Sequence, residues 1–260
     1  MPEEAALPSQ IAEPGKVAFV GAGPGDPDHL TLRALRALAE ADVVIHDRLV
    51  GAEILALIAP GAERIDAGKE GFGPSTPQSA INALLVAHAA LGRRVLRLKG
   101  GDCGIFGRLD EEIDALEAAG IGYVIVPGLT AAAVAAASIG QSLTRRGRNG
   151  ALRIVTGHDV AGFVEQDWRG LARPGAVTAI YMGKKSARFL QGRLMMHGAA
   201  ADTPITIVEN VSRRDERVVP ATLAGLPEAV STVSGPAVLL CGLAPRRAAS
   251  ALRQVRESFA

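Results

Sequence analysis

The stretch RLKGGDCGIFGRLDEE, residues 97–112, joins the end of an apolar run to a glycine corner, an acid and the mouth of a helix. Val95, Leu96 and Leu98 make the run, and Gly100-Gly101 stops it where no side chain obstructs a ligand. Asp102 offers a hydrogen-bond acceptor beside bare backbone, and Arg108, Asp110 and Glu111 open the next helix. Taken alone, this is an ordinary strand-turn-helix corner with solvated charges. The segments on either side repeat the pattern, and the repetition predicts an α/β fold with a parallel sheet covered by helices.

Upstream, Val17 to Val20 enters the loop GAGPGDPDHL, and Leu32, Leu35 and Leu38 or Ala39 give a helical spacing over 30–39. The glycines run Gly21, Gly23, Gly25, with Asp26 where a dinucleotide fingerprint has its third glycine. Pro24 has no N–H for a phosphate and Asp26 would repel one, so a nicotinamide or flavin site is rejected. The corner stays open to a neutral or cationic ligand. Val43 to His46 forms the second strand, and Asp47 follows at the edge where α/β sheets bind ligands; it serves either there or as a cap for the next turn. Glu63 to Asp66 reads as a third strand leading into a glycine-rich loop with Lys69. Thr76 is the expected N-cap of a helix with Pro77 in its first position and Ile81, Leu84, Leu85, His88 and Leu91 on one face, which makes His88 a packing residue.

Downstream, Ile113, Leu116 and Ala119 space a helix, Tyr123 to Val126 a strand, and Thr130 is the expected N-cap of an Ala-rich helix. The second half carries strands at 153–156, 177–182, 205–209, 217–220 and 238–241, with a helix at 186–197. Short links among these strands predict a mixed sheet with antiparallel pairs. The expected organisation is a disordered tail over 1–15, an N-terminal α/β domain over 16–140, a basic linker and cleft lining over 141–152, and a C-terminal α/β domain over 153–260 ending in a helix at 246–259.

Composition narrows the function classes. Twenty-eight basic and twenty-seven acidic residues leave no global field to attract nucleic acid or a membrane. No apolar run reaches the length of a membrane span. Two cysteines, Cys103 and Cys241, and five scattered histidines predict neither a disulfide framework nor a metal site, and a reducing cytoplasm is the expected setting. From Ile121 to His158 there is no acid, whereas Arg145, Arg146, Arg148 and Arg153 all fall there, forming either a solvated loop or a clamp for an anion.

Read in order, GAGPGDPD (21–28), DRLV (47–50), GK (68–69), RLKGGDxxIFGR (97–108), EE (111–112), VPGLTA (126–131), LTRR (143–146), VTGH (155–158), YMG (181–183), DTP (202–204) and VEN (208–210) resemble the uroporphyrinogen-III C-methyltransferases of the tetrapyrrole methylase superfamily. The resemblance implies two α/β domains with the active site in the cleft between them, S-adenosylmethionine as methyl donor, and a homodimer. It implies methylation of C-2 and C-7 of uroporphyrinogen III to precorrin-2, for sirohaem, cobalamin or haem d1, with no nucleic-acid or membrane partner. Within these residues no dehydrogenase or ferrochelatase segment is expected.

By the same resemblance Pro24, Gly100, Gly101, Asp102, Ile105, Thr130, Ala131 and Met182 line the cofactor site, with Val211 where the family pattern has glycine. Asp47 and Lys69 match acid/base positions, and Arg108, Glu111, Arg146 and Met182 match positions that handle substrate and turnover. A guanidinium stays protonated, so proton removal is assigned to Asp47, Glu111 or water and Arg108 to positioning. Cys103-Gly104, Leu109-Asp110, Arg145 and Gly147 depart from the family pattern. The competing readings are a methyltransferase for a later precorrin, an RNA-directed methylase using the arginine segment, and a non-catalytic metabolite binder. Near-neutral charge and only nine aromatic residues oppose the RNA reading.

Overall fold

The computed structural model describes Ile11 and residues 13–68, 76–158 and 162–246. Lys69 and the helix expected over 246–259 fall outside them, apart from Arg246. The chain divides into two compact units, Met1–Thr130 and Ala131–Ala260.

In the first unit the chain runs β1 (Val17–Gly21), a 3-10 turn (Pro27–His29), α1 (Leu32–Glu40), β2 (Val43–His46), α2 (Ala52–Leu55) and β3 (Glu63–Asp66). It continues through α3 (Gln78–Ala90), β4 (Val95–Lys99), α4 (Leu109–Ala118) and β5 (Tyr123–Val126). The five strands form one sheet in the order β3-β2-β4-β1-β5, every pair parallel. Alternation sends Ala18, Val20, Val44, Leu96 and Leu98 to one face, packed on α1 and α2, and Val17, Phe19, Val43, Ile45 and Val95 to the other, packed on α3 and α4.

Several local expectations change here. Leu32 and Leu35 are 72% and 42% exposed, and the stripe of α1 that meets the sheet is Ala34, Ala37 and Leu38. Small alanines let the helix approach the sheet closely, and Thr31 caps it by accepting from Ala34 N at 3.0 Å. Thr76 does not cap α3: its hydroxyl donates to Gly68 O at 3.2 Å, and Pro77 takes the capping position. Leu91 lies just past the end of α3 and is exposed. Near the amino terminus, Ile11 is buried in the first core and Gly15 N donates to Arg93 O at 3.0 Å, so this end of the expected tail is packed.

The second unit runs α5 (Ala131–Ser138), β6 (Leu152–Thr156), α6 (Trp168–Leu171), β7 (Val177–Tyr181), α7 (Ala187–Met196), β8 (Pro204–Glu209), β9 (Arg217–Thr222), α8 (Leu226–Ser231) and β10 (Ala237–Cys241). Its sheet order is β6-β7-β10-β8-β9, with β6 and β7 parallel and the other pairs antiparallel. The Ala-rich α5, placed in the N-terminal domain by sequence, packs its Ala132, Val134, Ala135 and Ala136 against Val177, Ala179 and Val208 of this sheet. No helix among the described residues is long and apolar enough to cross a membrane.

Candidate active site

β1 and β4 are neighbours whose following helices cover opposite faces of the sheet. Such a divergence opens a crevice at the carboxyl ends of the strands, where doubly wound sheets bind ligands. The loops leaving the two strands are tied there: Gly23 and Gly101 exchange N–H to O bonds of 3.0 and 2.7 Å, and Ala22 N donates to Lys99 O at 2.8 Å. A Cβ on Gly21 would lie 2.6 Å from Gly128 N, and one on Gly128 would lie 2.3 Å from Gly101 O. The glycines therefore make room first for one another's backbone. A Cβ on Gly100 would meet that of Leu49 at 3.0 Å, so DRLV forms part of the wall.

Asp102 is the brace of this corner. Its Oδ1 accepts from Gly104 N at 2.8 Å and its Oδ2 from Gly128 N at 2.9 Å, which fastens the turn after β4 to the end of β5 two residues before Thr130. Pro24, Gly100, Gly101, Asp102, Ile105 and Thr130 are all half-buried, and the turn bond from Ile105 N to Asp102 O holds Ile105 at the same corner. Cys103, at a position that departs from the family pattern, turns into the core with its Sγ 3.8 Å from Val126 O. Burial, reinforced by the Asp102 charge, pushes its thiol pKa up.

Beneath the corner lies a charge network that sequence reading did not single out. Arg97 and Lys99 continue the face of β4 begun by Val95, so they project toward α3 and α4 rather than into water. Glu112, fully buried in the first turn of α4, meets both: Arg97 Nε donates to Oε1 at 3.1 Å, and Lys99 Nζ lies 2.9 Å from each carboxylate oxygen. Gln78 adds a bond to Oε1 at 3.1 Å. The Arg97 NH2 then donates to Asp47 Oδ1 at 2.5 Å. Burial and the neighbouring Arg97 pull the Lys99 pKa below its ordinary value, with Glu112 opposing. Asp47 does not cap the following turn with its side chain, because its carboxylate goes to Arg97 and only its backbone carbonyl accepts from Val50 N, at 3.1 Å. Among the described residues Asp47 Oδ2 accepts no hydrogen bond, and the side chain is 32% exposed. The signal available in sequence was two cations at alternate positions of an otherwise buried strand.

Arg108 and Glu111 form a forked pair at the start of α4, each hydrogen bond 2.7 Å long. Arg108 is held in the left-handed region at φ 54°, as is Phe106 at 52°, a conformation costly for residues with a Cβ. The Arg108 bond holds the Glu111 carboxyl below the usual range, which leaves Glu111 a weaker base.

In the second unit, Ala132 N donates to the Tyr181 hydroxyl at 2.8 Å, bringing the start of α5, with Ala131, to the end of β7, with Met182. Met182 is also left-handed, at φ 53°. Val211 lies between left-handed Asn210 and Ser212, and its side chain is buried with Ala132, Val208 and Val238. Arg146 stands exposed on a turn closed by Asn149, whose Oδ1 accepts from Arg145 N and Arg148 Nε. Arg148 also donates to Ser142 O, and Arg153 pairs with Asp167. The arginine island thus splits: Arg148 and Arg153 are structural, and Arg145 and Arg146 face outward around an open depression of about 500 Å³.

Residues 16–227 match the family described as tetrapyrrole (corrin/porphyrin) methylases. A siroheme synthase of Methylococcus capsulatus is 48% identical over 231 residues, which are 88% of this chain and 49% of the relative. Siroheme synthase 3 of Aeromonas hydrophila is 45% identical over 228 residues, with the same shares. The chain spans about half the length of the curated relatives it matches. Among solved structures, uroporphyrin-III C-methyl transferase from Thermus thermophilus, complexed with S-adenyl homocysteine, matches with a TM-score of 0.75 and 36% identity over 87% of this chain and 92% of that one. A cobalt precorrin-4 methyltransferase of cobalamin biosynthesis gives 0.78 and 26%, covering 88% and 95%. With two thirds of its length exceeded by the family match and a parallel-sheet unit followed by a mixed-sheet unit, the chain belongs to the tetrapyrrole methylases.

Proposed function

We propose that this methylase transfers methyl groups from S-adenosylmethionine to C-2 and C-7 of uroporphyrinogen III, giving precorrin-2 for sirohaem, cobalamin or haem d1. The observation that carries the reading is the convergence of Asp47 and the Gly101-Asp102 corner at the ends of adjacent parallel strands, β2 and β4. The residues fit the cofactor chemically. Asp102 keeps spare lone pairs for an ammonium or ribose hydroxyl, and Gly100 and Gly101 put no side chain in a ligand's way, although the Gly101 N–H is already given to Gly23 O. Pro24, Ile105, Thr130, Ala131, Met182 and Val211 complete the proposed set. When bound, the sulfonium supplies an electrophilic methyl group.

The protein's own work is positioning and proton removal. Arg108 and Arg146 pair with rim carboxylates of the macrocycle and hold the ring carbon in line with the methyl group. After the new C–C bond forms, a C–H bond of the macrocycle breaks and its electron pair returns to the ring system. Asp47 takes that proton on the oxygen not bound by Arg97. Asp47 is preferred to Glu111 because Arg97 holds its carboxylate at the strand end beside the Gly101-Asp102 corner, whatever Arg108 pairs with. Lys69 is assigned acid/base work by resemblance alone. A cytoplasmic homodimer is part of the same proposal, testable by sedimentation.

Incubation with uroporphyrinogen III and labelled cofactor, followed by mass measurement, is expected to show two added methyl groups. Cofactor binding without transfer to this substrate would sink the reading. It would favour a later precorrin substrate, which the similarity to the cobalt precorrin-4 enzyme supports.

A further inference from the structure

Arg97 is a cation 2% exposed on a sheet face that β4 shares between Val95 and the buried Lys99. An aliphatic side chain would pack there without losing hydration, so the buried ions do not explain themselves as stabilisers. Their geometry has a direction. Glu112, with no exposure, is held by Lys99 and Gln78 and accepts from Arg97 Nε. The guanidinium is further fixed by NH1 contacts of 3.4 Å to Ile45 O and Leu98 O. Its remaining nitrogen reaches Asp47, whose side chain is 32% exposed whereas Arg97, Lys99 and Glu112 are buried.

We propose that Glu112 and Arg97 are positioning residues: Glu112 fixes the plane of the Arg97 guanidinium, and Arg97 fixes the Asp47 carboxylate by one oxygen, leaving the other to receive the proton. The proposal rests on the reading of Asp47 as proton acceptor. A lysine at position 97 is a single point of charge and cannot hold Glu112 and Asp47 with separate nitrogens of one rigid plane. The arrangement repeats the logic of a base oriented by a second group that a third group orients.

The test is a double-mutant cycle on turnover with uroporphyrinogen III, comparing wild type, Arg97→Lys, Asp47→Asn and the double variant, with cofactor affinity and Tm measured on each. Arg97→Lys is expected to lower kcat by about tenfold or more, within the range of positioned acid–base groups, with KM changed by less than about twofold. In the Asp47→Asn background the same replacement should change kcat by less than about twofold, because its effect passes through Asp47. Equal factors in both backgrounds mean a merely structural role and overturn the proposal. A normal kcat for Arg97→Lys beside a slow Asp47→Asn also overturns it while leaving the function of Asp47 intact. A normal kcat for Asp47→Asn overturns the assignment of Asp47 itself and the positioning role with it. Should Arg97→Lys fail to fold, Glu112→Gln, which retains the acceptor oxygen, enters the same cycle and is read by the same outcomes.

Discussion

Arg108 grips Glu111 through two parallel hydrogen bonds of 2.7 Å although both side chains are 51% exposed. A pair so open to water is inexpensive to trade, so a macrocycle carboxylate can displace Glu111 from the guanidinium. Arg108→Gln should change stability by less than about 1 kcal/mol. Its KM for uroporphyrinogen III should rise while cofactor affinity stays unchanged, as steady-state kinetics and calorimetry would report.

Glu112 gives the opposite case. Its removal as Glu112→Ala leaves Arg97 and Lys99 buried without a counter-charge, and urea unfolding should record a loss of about 3–5 kcal/mol. Replacing all three charges together by aliphatic side chains should recover much of that loss.

At the glycine corner, Gly128→Ala places a methyl group 2.3 Å from Gly101 O. The turn after β4 must move, at about 1–3 kcal/mol. Cofactor affinity should fall more than the affinity of any surface variant, measurable by titration calorimetry.

Acid sensitivity has a specific source in Glu209. Burial works against its charge, but the N–H groups of Gly235 and Ser234 and the Arg217 cation more than compensate and hold its carboxyl below the usual range. A depressed folded value means stability that is complete above the unfolded carboxylate pKa of about 4.3 and is lost as pH falls through the folded value. Glu209→Gln should therefore be less stable than wild type near neutrality, and the difference in Tm should narrow toward acid.

Burial pushes the Cys241 thiol up to about 11 and raises Cys103 as well. Neither should react with a thiol reagent at about pH 8 until the protein unfolds. Rapid labelling of the native protein would contradict the placement of both side chains in the cores.

The elements most legible in the sequence are those where an apolar run meets a clear break. The strands at 43–46, 63–66 and 123–126 have the same bounds in the structure as in the sequence reading. On α1 the spacing in sequence picks out the leucines, whereas close approach to the sheet selects Ala34 and Ala37 beside Leu38. α6 and α8, of four and six residues, are too short for a helical period to show. The candidate site is legible as an ordered set of motifs. The charge network of Arg97, Lys99 and Glu112 is not, because a charge on a buried strand face declares itself only once the helix that neutralises it is in position. The split of the arginine island has the same cause: Asn149 and Asp167 take two of its members, and their partnerships arise from the folded turn and from a later segment.

Val211 illustrates what residue identity conceals. Its side chain points into the core between two left-handed neighbours, so what position 211 itself presents outward is main chain. A valine written over a glycine is then a spelling change in the alphabet of side chains that leaves the message in the peptide groups intact. The vocabulary a ligand reads at such a bend is conformational, and it survives as long as the flanking residues keep their turn.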